Sequence, residues 1–406
     1  MRTACLHAFV ALCCLLLAGS CGPSASDTQT TADGATRITL WHAYRAEEET
    51  ALLAAVDAFN DSRKDIHVEA LKIPYQAFAD KITNAIPRDN GPDLFIFAHD
   101  RIGDWAEADL IEPISIWAEP TDLDQYIEST VRALVYKKAL YGLPLTFKSV
   151  ALFYNTDLIP QPPSTDQEMV EMASRLTDTS KKTYGLAYAN SQLYFTAAFI
   201  HGFGGQTLDI DGKLHLTDPG TVEGMRFCQE LVHKHKVVPG DVDGSMLTNL
   251  FNSGRAAMVI NGPWFIGEIS KDINWSVAVL PTISSTGKPA APFFGSEAVM
   301  MSRRSKHKRQ TFEVMRFLAG PESSTIRLQQ GGVPVAHKGT WDTARVDPVQ
   351  RTFRKQIDRA IFMPNISDMR FVWEPTDQAI QRIVKKNATP ADELATAQER
   401  IEASRR

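Results

Sequence analysis

Two rhythms of apolar and polar positions trade places along this chain from Thr36 onward. Arg37-Ile-Thr-Leu-Trp41 alternates with a period of two and predicts a strand. Glu47 to Phe59 sets Leu52, Val56 and Phe59 on one stripe and predicts a helix. Ile66 to Ile73 alternates as a second strand, and Tyr75 to Ile86 turns helical again. Asp93-Leu-Phe-Ile-Phe97 is a short continuous apolar run, the pattern of a strand covered on both faces of a parallel sheet. Alternation of this kind predicts βαβ units with right-handed crossovers.

A second series begins at Val150-Ala-Leu-Phe-Tyr154. It continues with helix Asp166 to Leu176, strand Gly185 to Ala189, helix Gln192 to His201 and helix Gly220 to His235. Strands Ala256 to Asn261 and Trp275 to Leu280 complete it, then strand Glu297 to Ser302 and mostly helices to the end. The body holds no internal repeat. The expectation is two α/β lobes with the late helices packed on one or both.

Length agrees with that division, because 406 residues exceed one ordinary core. Apolar residues at 44% and charged residues at 22% suit a soluble globular body. The net charge of −5 supplies no basic field and argues against nucleic acid as a partner.

The N-terminus reads as a targeting segment. Arg2 precedes an uncharged run from Ala8 to Ala18, and Gly19 and Ser20 lead into Cys21. That run is shorter than the ~20 residues a membrane-spanning helix needs. Leu17-Ala18-Gly19-Ser20-Cys21 resembles a bacterial lipobox, with Ala18 where Leu is usual, so Cys21 is expected to carry lipid. The Ser/Thr/Asp/Gly-rich stretch from Ser24 to Thr36 suits a flexible tether. Cys5, Cys13 and Cys14 fall in the leader, leaving Cys228 alone in the body, where a small buried apolar role is expected.

Catalytic and metal chemistry finds little support. His233 and His235 stand two apart on a helix and point to different faces, and no pairing has zinc-ligand spacing. There is no G-x-S-x-G elbow, and Gly202-Phe-Gly-Gly205 lacks the Lys-Ser/Thr of a phosphate loop. No cofactor is called for. Two well-placed carboxylates would suffice for a glycosidase, and sequence leaves that open. What stands out is aromatic residues beside polar ones at predicted strand ends and loops: Trp41, Tyr44, Tyr75, Phe97, Tyr194, Trp264 and Trp373. Sugars have apolar ring faces rimmed by hydroxyls, so such pairs suit a sugar site, although most aromatics of this kind are core.

Four segments carry a family resemblance: Gly91-Pro-Asp-Leu-Phe-Ile-Phe-Ala-His-Asp-Arg101, Leu152-Phe-Tyr-Asn-Thr-Asp-Leu-Ile-Pro160, Ile260-Asn-Gly-Pro-Trp264, and Phe362-Met-Pro-Asn-Ile366 with Trp373. In order and spacing they resemble the bacterial maltose/maltodextrin-binding proteins of the extracellular solute-binding family. The resemblance implies a two-lobed periplasmic-binding-protein fold (type II, Venus-flytrap) with a hinge of crossing strands. It divides the chain into 1–21, leader and lipobox; 22–36, tether; 37–146 plus 298–345, first lobe; and 150–293 plus 352–406, second lobe. The ligand would lie in the cleft between lobes, and the partners would be a small carbohydrate and the permease subunits of an ABC importer. The protein would be an exported monomer, held to a membrane by its N-terminal lipid.

Carried over position by position, Asp100 and Arg101 match first-lobe residues that bond sugar hydroxyls, and Tyr194, Trp264 and Trp373 match aromatics that stack on sugar rings. Phe97 stands where the family has Trp. Gln192 replaces a Glu, and Lys148 replaces another, turning an acceptor into a cation. Tyr44 and Tyr75 join the candidates from neighbouring loops. The Lys148 change has two readings. In the favoured one it pairs with Glu or Asp across the cleft and leaves a neutral-sugar site; in the other the ligand carries a carboxylate or phosphate. Other expectations are a receptor for another sugar, sugar acid or glycerol phosphate, a secreted glycoside hydrolase, or a lipoprotein with no ligand.

Overall fold

A computed structural model describes residues 30–31 and 34–405. Cys21 and the leader lie outside the described residues. The end of the expected tether does not behave as one: Thr30 bridges Thr36, and the Ala35 amide donates to the Thr31 hydroxyl. These contacts fold the last residues of that stretch onto the first strand.

In chain order the first lobe starts with β1 (Thr36–His42), α1 (Ala46–Ser62), β2 (Ile66–Lys72), α2 (Tyr75–Ala85) and β3 (Leu94–Ala98). Helices α3 (Ile102–Glu107), α4 (Pro120–Leu123) and α5 (Glu128–Arg132) follow, then a hairpin of β4 (Val135–Tyr136) and β5 (Ala139–Leu140). β6 (Gly142–Lys148) leads into β7 (Ala151–Asn155). Next come α6 (Asp166–Leu176), β8 (Tyr184–Ala187), α7 (Leu193–Gly202), α8 (Pro219–His233), α9 (Gly244–Asn252), β9 (Ala256–Asn261) and β10 (Trp275–Ala278). β11 (Phe293–Met301) precedes α10 (Lys308–Ala319), α11 (Pro321–Gln330), α12 (Lys338–Thr343) and α13 (Pro348–Ile357). The chain closes with β12 (Ile361–Phe362), α14 (Met369–Lys386) and α15 (Pro390–Ser404).

Each lobe is built on a mixed sheet. In the first, β2, β1 and β3 are parallel, and β11 runs antiparallel to β3 and to β6. In the second, the order is β10-β7-β9-β8, with only β8 and β9 parallel. Strand alternation explains why the second lobe has apolar packing on both sides. Leu152, Tyr154, Met258 and Ile260 face one core, and Ala151, Phe153 and Val259 face the other.

β6 and β11 belong to both halves. Leu143 and Leu145 join the first-lobe core while Phe147 joins a second-lobe core. Along β11, Phe293 and Phe294 pack with the second lobe and Ala298 to Met301 with the first. The two strands pair with each other, Thr146 opposite Glu297 and Lys148 opposite Gly295. The architecture is therefore the two-lobed type II fold with crossing strands between its halves. β6, which the apolar pattern does not pick out, is one of those strands.

Candidate ligand-binding cleft

The first-lobe wall forms where strands end. β1 ends at His42 and passes to Tyr44 before α1; β3 ends at Ala98 and enters a 3₁₀ turn over His99–Arg101. Parallel strands send their carboxyl ends the same way, so these segments converge on one edge of the sheet.

At that edge sits a charged network. The Lys148 ammonium, 13% exposed, pairs with Glu48 of α1 and lies 3.7 Å from Glu297 Oε2. The same Glu297 carboxylate accepts the Tyr44 hydroxyl at 2.5 Å and the Thr146 hydroxyl at 3.1 Å. Arg327 of α11, only 2% exposed, donates to the Tyr44 hydroxyl oxygen at 3.3 Å. Two cations face two anions, so the network is neutral as a whole. Burial pushes the Glu48 carboxyl up, and Lys148 opposes it. Burial pulls the Lys148 ammonium down, but Glu297 and Glu48 outweigh that and keep it charged.

Lys148 thus has the carboxylate partners expected of it, but not where expected. Glu48 lies on α1 of the first lobe and Glu297 on the crossing strand β11, which pairs with β6, so neither stands on the second-lobe wall. What lies across the cleft is the Trp264 ring, with its centroid 5.8 Å from the ammonium.

Three aromatics line the second-lobe wall. Trp264 sits in a 3₁₀ helix over Pro263–Glu268, directly after β9. Its ring lies against Gly262, where a Cβ would fall 2.2 Å from the indole carbons, so only glycine permits that placement. Tyr194, in the first turn of α7, has its ring 6.1 Å from that of Trp264. Trp373 on α14 meets Phe293 of β11 edge-on at 6.1 Å. All three rings are half-buried.

The Lys148 ammonium and the Trp264 ring, 5.8 Å apart, bring the two walls face to face, and the charges that act on the tyrosines agree. Burial raises the Tyr194 phenol pKa above its ordinary value, and Tyr75 and Asp100 of the first lobe and Glu297 of the crossing strand push it further the same way. The Tyr75 phenol is likewise raised by burial, then by Asp100 and Glu297, although its surface is 58% exposed. At the mouth, Arg45 Nη2 lies 2.8 Å from Glu268 Oε1 of the second lobe, and Thr248 steadies the same carboxylate at 2.9 Å.

Not every candidate reaches the crevice. Phe97 is 5% exposed, stacked by Phe78 at 5.0 Å and by Tyr75 at 5.3 Å, with Trp105 also against it. Its ring has no free face, so it is not the platform expected at that position; it backs Tyr75 instead. Trp41 is buried in the first-lobe core with the Lys81 ammonium over its ring. Arg101 lies 3.9 Å from Asp104, which also pairs with Arg370 of α14. Asp100 is nearly buried, and Gln192 is exposed at the N-cap of α7.

Four contributors escape sequence reasoning. Glu297 and Arg327 complete the network described above. His99 fixes the turn that presents Asp100: its Nε2 bonds the Met363 carbonyl oxygen at 2.8 Å and its Nδ1 accepts the Ser296 amide at 3.1 Å. Burial lowers the His99 pKa, which keeps that neutral tautomer in place. Asp377 accepts the Leu193 amide at 2.7 Å, tying α14 to α7. A single charge inside the apolar run of β11 is a readable signal for Glu297; the other three need the fold.

The sequence profile of the family described as bacterial extracellular solute-binding protein matches residues 43–325. The chain belongs to that family. This solute-binding protein is 30% identical over 366 residues to the maltotriose-binding protein of Pyrococcus abyssi, covering 88% of this chain and 80% of that one. It is 27% identical over 396 residues to the galactooligosaccharide-binding protein of Bacillus subtilis, covering 94% and 92%. Among solved structures, the Thermus thermophilus maltotriose-binding protein bound with maltotriose superposes with a TM-score of 0.82 at 27% identity, covering 90% of this chain and 99% of that one.

Proposed function

We propose that this protein is the solute receptor of an ABC importer and that it closes on a neutral oligosaccharide of the maltooligosaccharide class. The observation that carries this reading is the half-buried Trp264 ring, 6.1 Å from that of Tyr194, standing 5.8 Å from the Lys148 ammonium across the lobes. Aromatic faces on one wall and hydroxyl acceptors on the other match the two chemistries of a sugar ring. The relatives named for maltotriose and galactooligosaccharide support the same class.

The neutral network argues against an acidic ligand. Lys148 is already paired with Glu48 and lies near Glu297, and Arg327 is only 2% exposed and donates to the Tyr44 hydroxyl, so neither cation stands open to a carboxylate or phosphate. Asp100 would then accept from sugar hydroxyls, Arg101 would donate to them and Gln192 could do either, while Tyr194, Trp264 and Trp373 stack on ring faces and Tyr75 lines the opposite side. Ligand gains contacts to both walls only when the lobes close, so it shifts the population to the closed form by that difference in affinity. The closed receptor passes its ligand to the permease, and lipid on Cys21 keeps it, as a monomer, at the membrane. No bond is broken in this cycle.

Titration calorimetry with maltotriose and with a galacturonate trisaccharide tests the reading. Saturable binding of maltotriose alone, with no reducing ends released on long incubation, is expected. Preference for the acidic sugar overturns the neutral-ligand assignment, and steady release of reducing ends overturns the receptor.

A further inference from the structure

α7 begins without a cap of its own. Gln192 holds its N-cap position in extended conformation, and no side chain of that segment accepts a first-turn amide. The orphan donors at a helix start need acceptors, and a negative charge there gains from the helix dipole as well. The acceptor comes from another helix: Asp377 Oδ1 of α14 takes the Leu193 N–H at 2.7 Å. Asp377 stands four residues after Trp373, on the same face of α14. The turn it caps carries Gln192 and Tyr194, so one carboxylate joins the two helices that hold two aromatics of the second-lobe wall.

We infer that Asp377 is a positioning residue, which fixes Gln192 and Tyr194 relative to Trp373 through this borrowed cap and makes ligand affinity depend on its staying ionised. The inference rests on the sugar reading of the cleft. The titration of Asp377 makes it visible near neutral pH. Burial pushes its carboxyl up to about 6, against the pull of the Leu193 amide, and no charged neighbour contributes.

Several charged groups occupy the elements packed on α14, yet none of them enters this balance. The 3₁₀ turn brings His99, Asp100 and Arg101, and α7 brings Tyr194 and His201. From α8, His233 bonds the Val384 carbonyl oxygen. From α15, Glu393 pairs with Arg382 and Arg400 donates to Gln378. On α14 itself, Glu374 accepts from Gln378 and Arg370 pairs with Asp104.

Two observables then move in opposite directions. A carboxyl whose pKa is higher in the folded than in the unfolded chain binds protons more readily when folded. Its contribution to folding is therefore greatest in acid and is lost as pH rises through about 6. The cap needs the anion, so affinity behaves the other way and falls as pH drops below about 6. A merely structural Asp377 would leave the same pH dependence in stability and none in affinity.

Calorimetry of the full protein with maltotriose at pH 7.5 and pH 5.0, on wild type and Asp377→Asn, is the test. Wild type is expected to lose about three- to tenfold in affinity at pH 5.0, the range of a charge at a helix start. The Asp377→Asn protein is expected to match the acid value at both pH values. An unchanged pH profile in the variant, or a flat profile in wild type, overturns the inference. Hydrogen exchange of the peptide over residues 191–196, corrected for intrinsic rates, decides the cap without any sugar. It is expected to be less protected in Asp377→Asn and in wild type at pH 5.0 than in wild type at pH 7.5. Equal protection in all three overturns the cap, whereas absence of maltotriose binding by wild type at pH 7.5 overturns only the sugar reading.

Discussion

The two walls of the cleft are built on opposite plans. The first-lobe wall is held by charge: Lys148 pairs with Glu48 and lies near Glu297, whose carboxylate accepts the Tyr44 hydroxyl, and Arg327 donates to that same hydroxyl. The second-lobe wall is held by packing and leaves Tyr194, Trp264 and Trp373 half-buried, each with surface still to cover. One wall is knit together by its own polar contacts, and the other leaves aromatic surface uncovered. A substitution in the first should therefore appear mainly in folding stability, and one in the second mainly in affinity.

The largest effect should come from breaking the charged wall. Lys148→Met leaves Glu48 and Glu297 buried without their shared cation, and removing one partner of such a group costs about 3–5 kcal/mol. Urea unfolding followed by circular dichroism reads this directly. A loss below about 1 kcal/mol would show that water reaches both carboxylates and that the network is not what holds this wall.

Trp264→Ala should do the converse. Loss of a central aromatic anchor costs about 2–4 kcal/mol of binding, or roughly 30- to 1000-fold in Kd for maltotriose. Its folding stability should fall by less than that of Lys148→Met, because the ring is half-buried. Gly262→Ala sharpens the point without touching any ring. The new methyl would displace the indole, and a loss of about tenfold in affinity is expected from a shift of that size. An unchanged Kd would mean that the ring's placement is not what the ligand reads.

These walls were legible in the sequence to different degrees. The rings proposed to receive a ligand lie partly exposed near strand and helix ends, and Trp264 and Trp373 fall in segments of recognisable spacing. Phe97 shows the limit of that reasoning. Nothing local distinguishes a ring with a free face from one sandwiched between Phe78 of α2 and Tyr75, since the difference lies in how α2 packs on β3. The charged wall was harder still. Glu48, Lys148, Glu297 and Arg327 span 280 positions of sequence, and although Lys148 and Glu297 each stand out alone, nothing local joins the four. Even the mixed sheets were hidden, because a buried strand's apolar run carries no sign of the direction of its neighbour.

The smallest effect concerns where the two plans meet. Arg45 and Glu268 are joined at 2.8 Å across the cleft mouth, and the Arg45 side chain is about half exposed. An ion pair so placed contributes only about 0.2–1 kcal/mol, since water screens it and ordering two long side chains offsets part of the gain. Because it joins residues of opposite lobes, that contribution goes to the closed form and enters the apparent affinity. Arg45→Ala should therefore weaken maltotriose binding by less than about fivefold in dilute buffer. In 1 M salt, where the screening length shrinks to about 3 Å, mutant and wild type should converge. A difference that survives high salt would place the effect in the packing of Arg45 against the second lobe, and would make the mouth of the cleft a third kind of wall, held by neither charge nor rings.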